Sequence, residues 1–149
     1  MPTLTEEQIN EIADQLDCGF RSFWHRHTGK LIYLPDFENN PYAESEFYKK
    51  DLEELASNNS NYIEIEKPQS GDSFKIMVKF AEKLENNVLR QHLVQALNSK
   101  KPFKEFKYLI DTSGVHRQEW FDFKNSQLKN WVRARFDEAN NNNTENGST

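Results

Sequence analysis

Apolar residues recur three and four positions apart at the start of the chain. They place Ile9, Ile12, Ala13 and Leu16 on one face of a predicted helix. Its start is strongly specified: Thr5 as N-cap with Gln8 three residues on makes a capping box, and Leu4 faces Ile9 as a hydrophobic staple. Gly19 stands just past the last periodic residue, where a left-handed conformation closes a helix. The period then falls to two. Phe20, Ser22 and Trp24 share one face, Arg21, Phe23 and His25 the other; Thr28-Gly29 interrupts and Leu31-Ile32-Tyr33-Leu34 resumes, which predicts a β-hairpin. Asn40-Pro41 reads as the N-cap and first residue of a short, charged surface helix carrying Phe47, Tyr48, Leu52 and Leu55. Tyr62 to Glu66 alternates again and predicts a third strand with its glutamates outward, ended by Pro68 and Gly71.

From Asp72 the pattern is helical. Phe74, Met77, Val78, Ala81 and Leu84 form one stripe, and Val88, Leu89, His92, Leu93, Ala96 and Leu97 a second, with Asn86-Asn87 between them. Pro102 opens a third helix with Phe103, Phe106, Leu109 and Ile110, and Gly114 follows its end. Trp120 to Phe136 reads as one long helix or two, with Asn125-Ser126 as the possible break, and an apolar stripe of Trp120, Phe121, Leu128, Trp131 and Val132. The order predicts an α+β fold, a small, mostly antiparallel sheet (hairpin plus one strand) packed with a mainly helical C-terminal half. Residues 1–137 are expected to form a single globular domain. The Asn-rich stretch 138–149 has no large apolar residue to offset its ordering entropy, so disorder is expected there.

Charge divides the chain. Residues 1–70 carry 6 basic and 14 acidic side chains, whereas residues 71–136 carry 13 basic and 7 acidic. The net charge of −5 argues against whole-protein nucleic-acid binding, so nucleic acid is a possible but not a favoured partner. One cysteine, Cys18, excludes an internal disulfide and a multi-cysteine zinc site. The opening residues lack a basic and apolar leader pattern, and no apolar run is long enough to span a bilayer, so a cytoplasmic location and no membrane partner are expected.

Reaction signatures are missing. The five glycines are too dispersed for a phosphate cradle, and neither His-Glu-x-x-His nor Gly-x-Ser-x-Gly occurs. His25 and His27 alternate beside the hairpin turn, with Asp36 as a remote third candidate, but two imidazoles make a weak metal site and exposed turn histidines explain them as well. His92 reads as a half-buried histidine of an apolar stripe. Asp111, His116 and Glu119 surround Gly114 and offer groups for acid–base work of a hydrolase or transferase; they are also ordinary polar residues of helix ends. No catalytic residue, metal site or cofactor is assigned. The basic set Lys100, Lys101, Lys104, Lys107, Arg117 and Arg133 is the best candidate for contacting a protein or anionic partner, against a background reading of plain solvation. Homodimerisation through the Trp120–Phe136 helix is a further possibility.

Several runs carry a family resemblance: Phe80 to Glu82; Asn86-Asn87-Val88-Leu89; Leu93 with Ala96-Leu97; Pro102-Phe103-Lys104-Glu105-Phe106-Lys107; Glu119-Trp120-Phe121-Asp122-Phe123; and Trp131-Val132. Together with the Thr28-Gly29 turn they resemble the uncharacterised bacterial protein family numbered 0158, over roughly Glu6 to Phe136. Val132 stands where that family tends to have leucine, and His25-Arg26-His27 replaces a more acidic hairpin. The family has no assigned activity to carry over. The resemblance implies that Phe103, Phe106, Trp120, Phe123 and Trp131 belong to a shared structural framework. From the missing reaction signatures and the charge-polarised halves, the expected function is that of a non-enzymatic binding or regulatory module, with an enzyme of unrecognised type around Asp111, His116 and Glu119 as the alternative.

Overall fold

The first helix, α1 (Glu6–Asp17), begins at the predicted cap in the computed structural model, which describes residues 2–147. The Gln8 N–H donates to Thr5 Oγ1 and the Thr5 N–H to Gln8 Oε1, both at 3.1 Å, so two otherwise orphaned donors are satisfied reciprocally. Thr5→Ala removes one of these acceptors and is expected to cost about 1 kcal/mol. The check is a lower urea midpoint at unchanged slope. After the helix, Gly19 takes φ 87°, a backbone conformation that a side chain disfavours.

The chain divides into two compact units, one from Met1–Lys67 with Leu128–Thr149, the other from Pro68–Gln127. In the first, β1 (Arg21–His25), β2 (Leu31–Leu34) and β3 (Tyr62–Ile65) form an antiparallel sheet in the order β2-β1-β3. Register places Trp24 between Leu31 and Ile63, and Ser22 between Tyr33 and Ile65. Trp24, Ile63 and Ile65 pack with Ile9, Ile12, Ala13 and Leu16 of α1, and with Leu128, Val132 and Phe136 of the last helix, α6 (His116–Gly147). On the opposite face Ile32 and Leu34 are also buried. There Arg21 makes a two-pronged bond to Glu64 at 2.9 and 2.8 Å, and this carboxylate holds the guanidinium above its ordinary pKa. Tyr62 donates to Glu54 of α2 (Lys49–Ser57) at 3.1 Å; partial burial first, then that carboxylate, push its hydroxyl up to about 12.

The second unit contains α3 (Ser70–Lys83), α4 (Asn87–Leu97), α5 (Pro102–Asp111) and the first turns of α6. Its core is Met77, Phe80, Ala81, Leu84, Leu93, Leu97, Phe106 and Ile110, with Trp120 and Phe123 packed against it. Phe80 is the hub, with ring centroids 5.3 Å from Trp120, 5.6 Å from Phe123 and 6.5 Å from Phe106. Trp120 lies 4.9 Å from Phe106, and these tilted and edge-to-face contacts suit the ring quadrupoles.

Three expectations need correction. Asn40-Pro41 does not cap a helix: the Asn40 carbonyl accepts from the Ala43 N–H in a turn, and helical structure waits for a short 3-10 turn at Ser45–Tyr48 and then α2. Gly71 does not punctuate the strand but sits in the first turn of α3, whose Asp72 carboxylate accepts from the Gln69 N–H at 3.1 Å. Val88 and His92 are exposed, because they stand roughly 140° and 100° around α4 from the fully buried Leu93. Of the two alternatives left open for Trp120 to Phe136, one long helix is the one formed: α6 is continuous through Asn125-Ser126, since two residues of middling propensity cost only about half a kcal/mol each. The helix is described through 138–147, where composition predicts disorder, and residues 148 and 149 lie outside the described residues.

Candidate functional site

α5 opens on Pro102 without a side-chain cap, and Lys100, Lys101 and Lys104 surround its first turn. Cations there add to the positive end of the helix dipole instead of offsetting it. Lys107 lies one turn further on. All four lysines are exposed, and none forms an ion pair among the described residues. The other two basic candidates are engaged: Arg117 with Asp111 at 3.4 Å in the same unit, and Arg133, in the first unit, with Glu6 at 2.7 Å. The six candidates therefore split into four lysines without ion partners, two just before α5 and two on it, and two arginines already used internally.

Two aromatic rings accompany the free lysines. Phe103 is 44% exposed and Tyr108 66% exposed, although the sequence places Phe103 in the core. Helical side chains lean toward the N-terminus, so a ring in the first turn projects past the end of the helix that should cover it. Beside Tyr108, His92, Gln95, Ser99, Glu105 and Leu109 border an open depression of about 410 Å³ along α4 and α5.

The alternative acid–base group assembles only in part. His116 Nδ1 lies 3.1 Å from Glu119 Oε2, and both border a cleft of about 370 Å³ walled by Phe80, Phe123, Leu84 and Lys83. Asp111 does not join them; it faces Arg117 instead. At the hairpin, His25 Nδ1 accepts from the backbone N–H groups of His27 and Thr28, both at 3.1 Å, so that nitrogen is occupied by the turn. Asp36, the remote third candidate, accepts from Asn39 and Lys67, and these contacts, Asn39 first, hold its carboxyl below the usual range. No group of three or more potential metal ligands occurs among the described residues.

A second exposed surface escaped the sequence reading. Tyr42 is 94% and Phe47 80% exposed, in a stretch that also carries Glu44 and Glu46. The available signal was the grouping of Tyr42, Phe47 and Tyr48 with Glu44 and Glu46 just after Pro41, which the expectation of a continuous surface helix absorbed. No helix among the described residues is long and apolar enough to cross a membrane.

These features define a small α+β protein with two compact units, a three-stranded antiparallel sheet and exposed lysines left without counter-charges. The chain belongs to the uncharacterised protein family UPF0158, whose model matches residues 2–144. It is similar to the UPF0158 protein PA5073 of Pseudomonas aeruginosa, at 26% identity over 126 residues, covering 83% of this chain and 76% of the relative. No solved structure matches it.

Proposed function

We propose that this protein is a non-enzymatic binding module that takes an anionic partner on the N-terminal half of α5. The observation that carries the reading is the set Lys100, Lys101, Lys104 and Lys107, exposed and without ion partners, around an uncapped helix start with Phe103 and Tyr108 beside it. Solvated lysines are ordinary on a helix surface. Three of them cluster at the positive end of the dipole, however, with Lys107 one turn on; they repel one another, and an anion relieves that repulsion. The half-exposed rings add apolar contact that simple counter-ions cannot use.

The test is titration of the full chain with RNA, single-stranded DNA and heparin at two salt concentrations. If all four lysines neutralise phosphates, log K falls against log salt with a slope of about −3, at ~0.7–0.9 per contact. Lys104→Glu with Lys107→Glu is expected to weaken binding about tenfold or more, whereas Arg133→Gln leaves it nearly unchanged. Absence of binding to every polyanion at low salt rejects the reading.

A further inference from the structure

The stretch from Asp36 to Tyr48 carries four acidic side chains and no basic one, opposite in charge to the set Lys100, Lys101, Lys104 and Lys107, and its rings are held in place. Phe37 meets Tyr48 edge-on at 6.1 Å between centroids, and Tyr48 meets Phe47 at 5.1 Å, so Phe47 caps a ladder of T-shaped pairs while itself 80% exposed. Singly exposed apolar residues are normal on a protein surface. Here two large rings stand out within six residues, held by a 3-10 turn and the Asn40–Ala43 turn. Between them Glu44 and Glu46 are exposed and form no hydrogen bond or ion pair through their carboxylates among the described residues.

An exposed, ring-bearing acidic segment fits a surface of lysines flanked by rings. The chain carries such a surface itself, in Lys104 and Lys107 with Phe103 and Tyr108. We infer that a second copy of this chain is the occupant: the acidic Tyr42–Phe47 segment of one copy docks on the lysine face of α5 in the other. The inference rests on the reading of that face as an anion-binding surface and names a partner for it. The closed form of such an assembly is a dimer whose two contacts are related by a two-fold axis. Each copy then contributes four rings, Tyr42, Phe47, Phe103 and Tyr108. Because Phe103 and Tyr108 are already partly covered, the exposed parts of these rings supply up to roughly 400–700 Å² at about 150–250 Å² per fully buried ring, the larger share of the ~800 Å² per partner in a standard interface. Glu44 and Glu46 meet lysines that otherwise lack counter-charges. Because these pairs are solvent-exposed, salt weakens the dimer. Any external polyanion also competes with the segment, so the dimer is the form in which the lysine face is closed.

Sedimentation of the full chain at low salt, from low micromolar to submillimolar concentration, tests this. A concentration-dependent monomer–dimer equilibrium is expected. Glu44→Lys with Glu46→Lys, and separately Lys104→Glu with Lys107→Glu, each weaken it about tenfold or more. An equimolar mixture of these two charge-reversed proteins associates, and a chain carrying all four reversals dimerises again. Tyr42→Ser with Phe47→Ser weakens the dimer at constant charge, and circular dichroism verifies that these surface variants are folded. A wild type that stays monomeric throughout, or reversed proteins that fail to associate when mixed, overturns the inference. Polyanion titration separates the two ideas. If Lys104→Glu with Lys107→Glu loses polyanion binding while the wild type is monomeric, the anion-binding reading stands and the dimer falls. If that variant binds polyanions like the wild type, the anion-binding reading itself falls.

Discussion

Trp24→Ala is expected to lower the free energy of unfolding by about 3 kcal/mol, the low end of the ~3–5 kcal/mol typical of truncating a buried Trp or Phe. Trp24 is fully buried at the centre of the sheet, and its ring meets Phe136 edge-on at 4.7 Å. Removing it opens a cavity between β1 and α6 and strands Phe136 without its ring partner. One feature reduces the loss. The indole Nε1 is buried with no hydrogen-bond partner in the protein, a burden of about 1–3 kcal/mol that the substitution also removes. Trp24→Phe keeps an aromatic ring in place and deletes the N–H, so it should cost less than half as much as alanine. Urea unfolding followed by far-ultraviolet circular dichroism measures both. A Trp24→Ala protein as stable as the wild type would show that the sheet core is not organised around this ring.

The second large effect falls in the other unit. Phe106→Ala should cost about 4 kcal/mol, because the ring is 2% exposed and touches both Phe80 and Trp120. Two positions along the same helix, Tyr108→Ala should change stability by no more than about 0.5 kcal/mol, since that ring is mostly in water. The contrast separates framework from surface within a single turn of α5. It also makes Tyr108→Ala a usable probe of binding, as a lost interaction there cannot be blamed on a damaged core. Equal destabilisation by the two substitutions would contradict the burial pattern.

The parts of the fold that follow from local chemistry were readable in the sequence. The Thr5–Gln8 box, the Gly19 closure, the alternation around Ser22 and Trp24, and the Ile63–Ile65 strand depend on neighbours a few residues away. Phe80 was harder to place. It extends the Met77–Ala81 stripe, yet its weight comes from three rings on other helices that periodicity does not reveal. Phe103 and Val88 show the opposite error. Phe103 has helical spacing suited to a core but occupies a first turn, where the apolar stripe extends beyond the elements that cover it, and Val88 is apolar but stands off the buried face of α4. On the candidate surface, the lysines were visible as residue types. Which cations were already spoken for was not, because the partners of Arg117 and Arg133 are set by turns and by a helix distant in sequence.

The sheet is complete by Ile65, but Leu128, Val132 and Phe136, which cover it, follow the entire Pro68–Gln127 unit. On the ribosome, the apolar side of the nascent sheet must therefore wait several seconds, at about 5–20 residues per second, while the intervening helices emerge. Those helices form an uninterrupted stretch and bring Phe80, Phe106 and Trp120 together without help from later residues. A chain stalled at Gln127 thus holds a finished second core, while its sheet has α1 as cover but lacks Leu128, Val132 and Phe136. Vectorial synthesis makes the part translated first the last to mature.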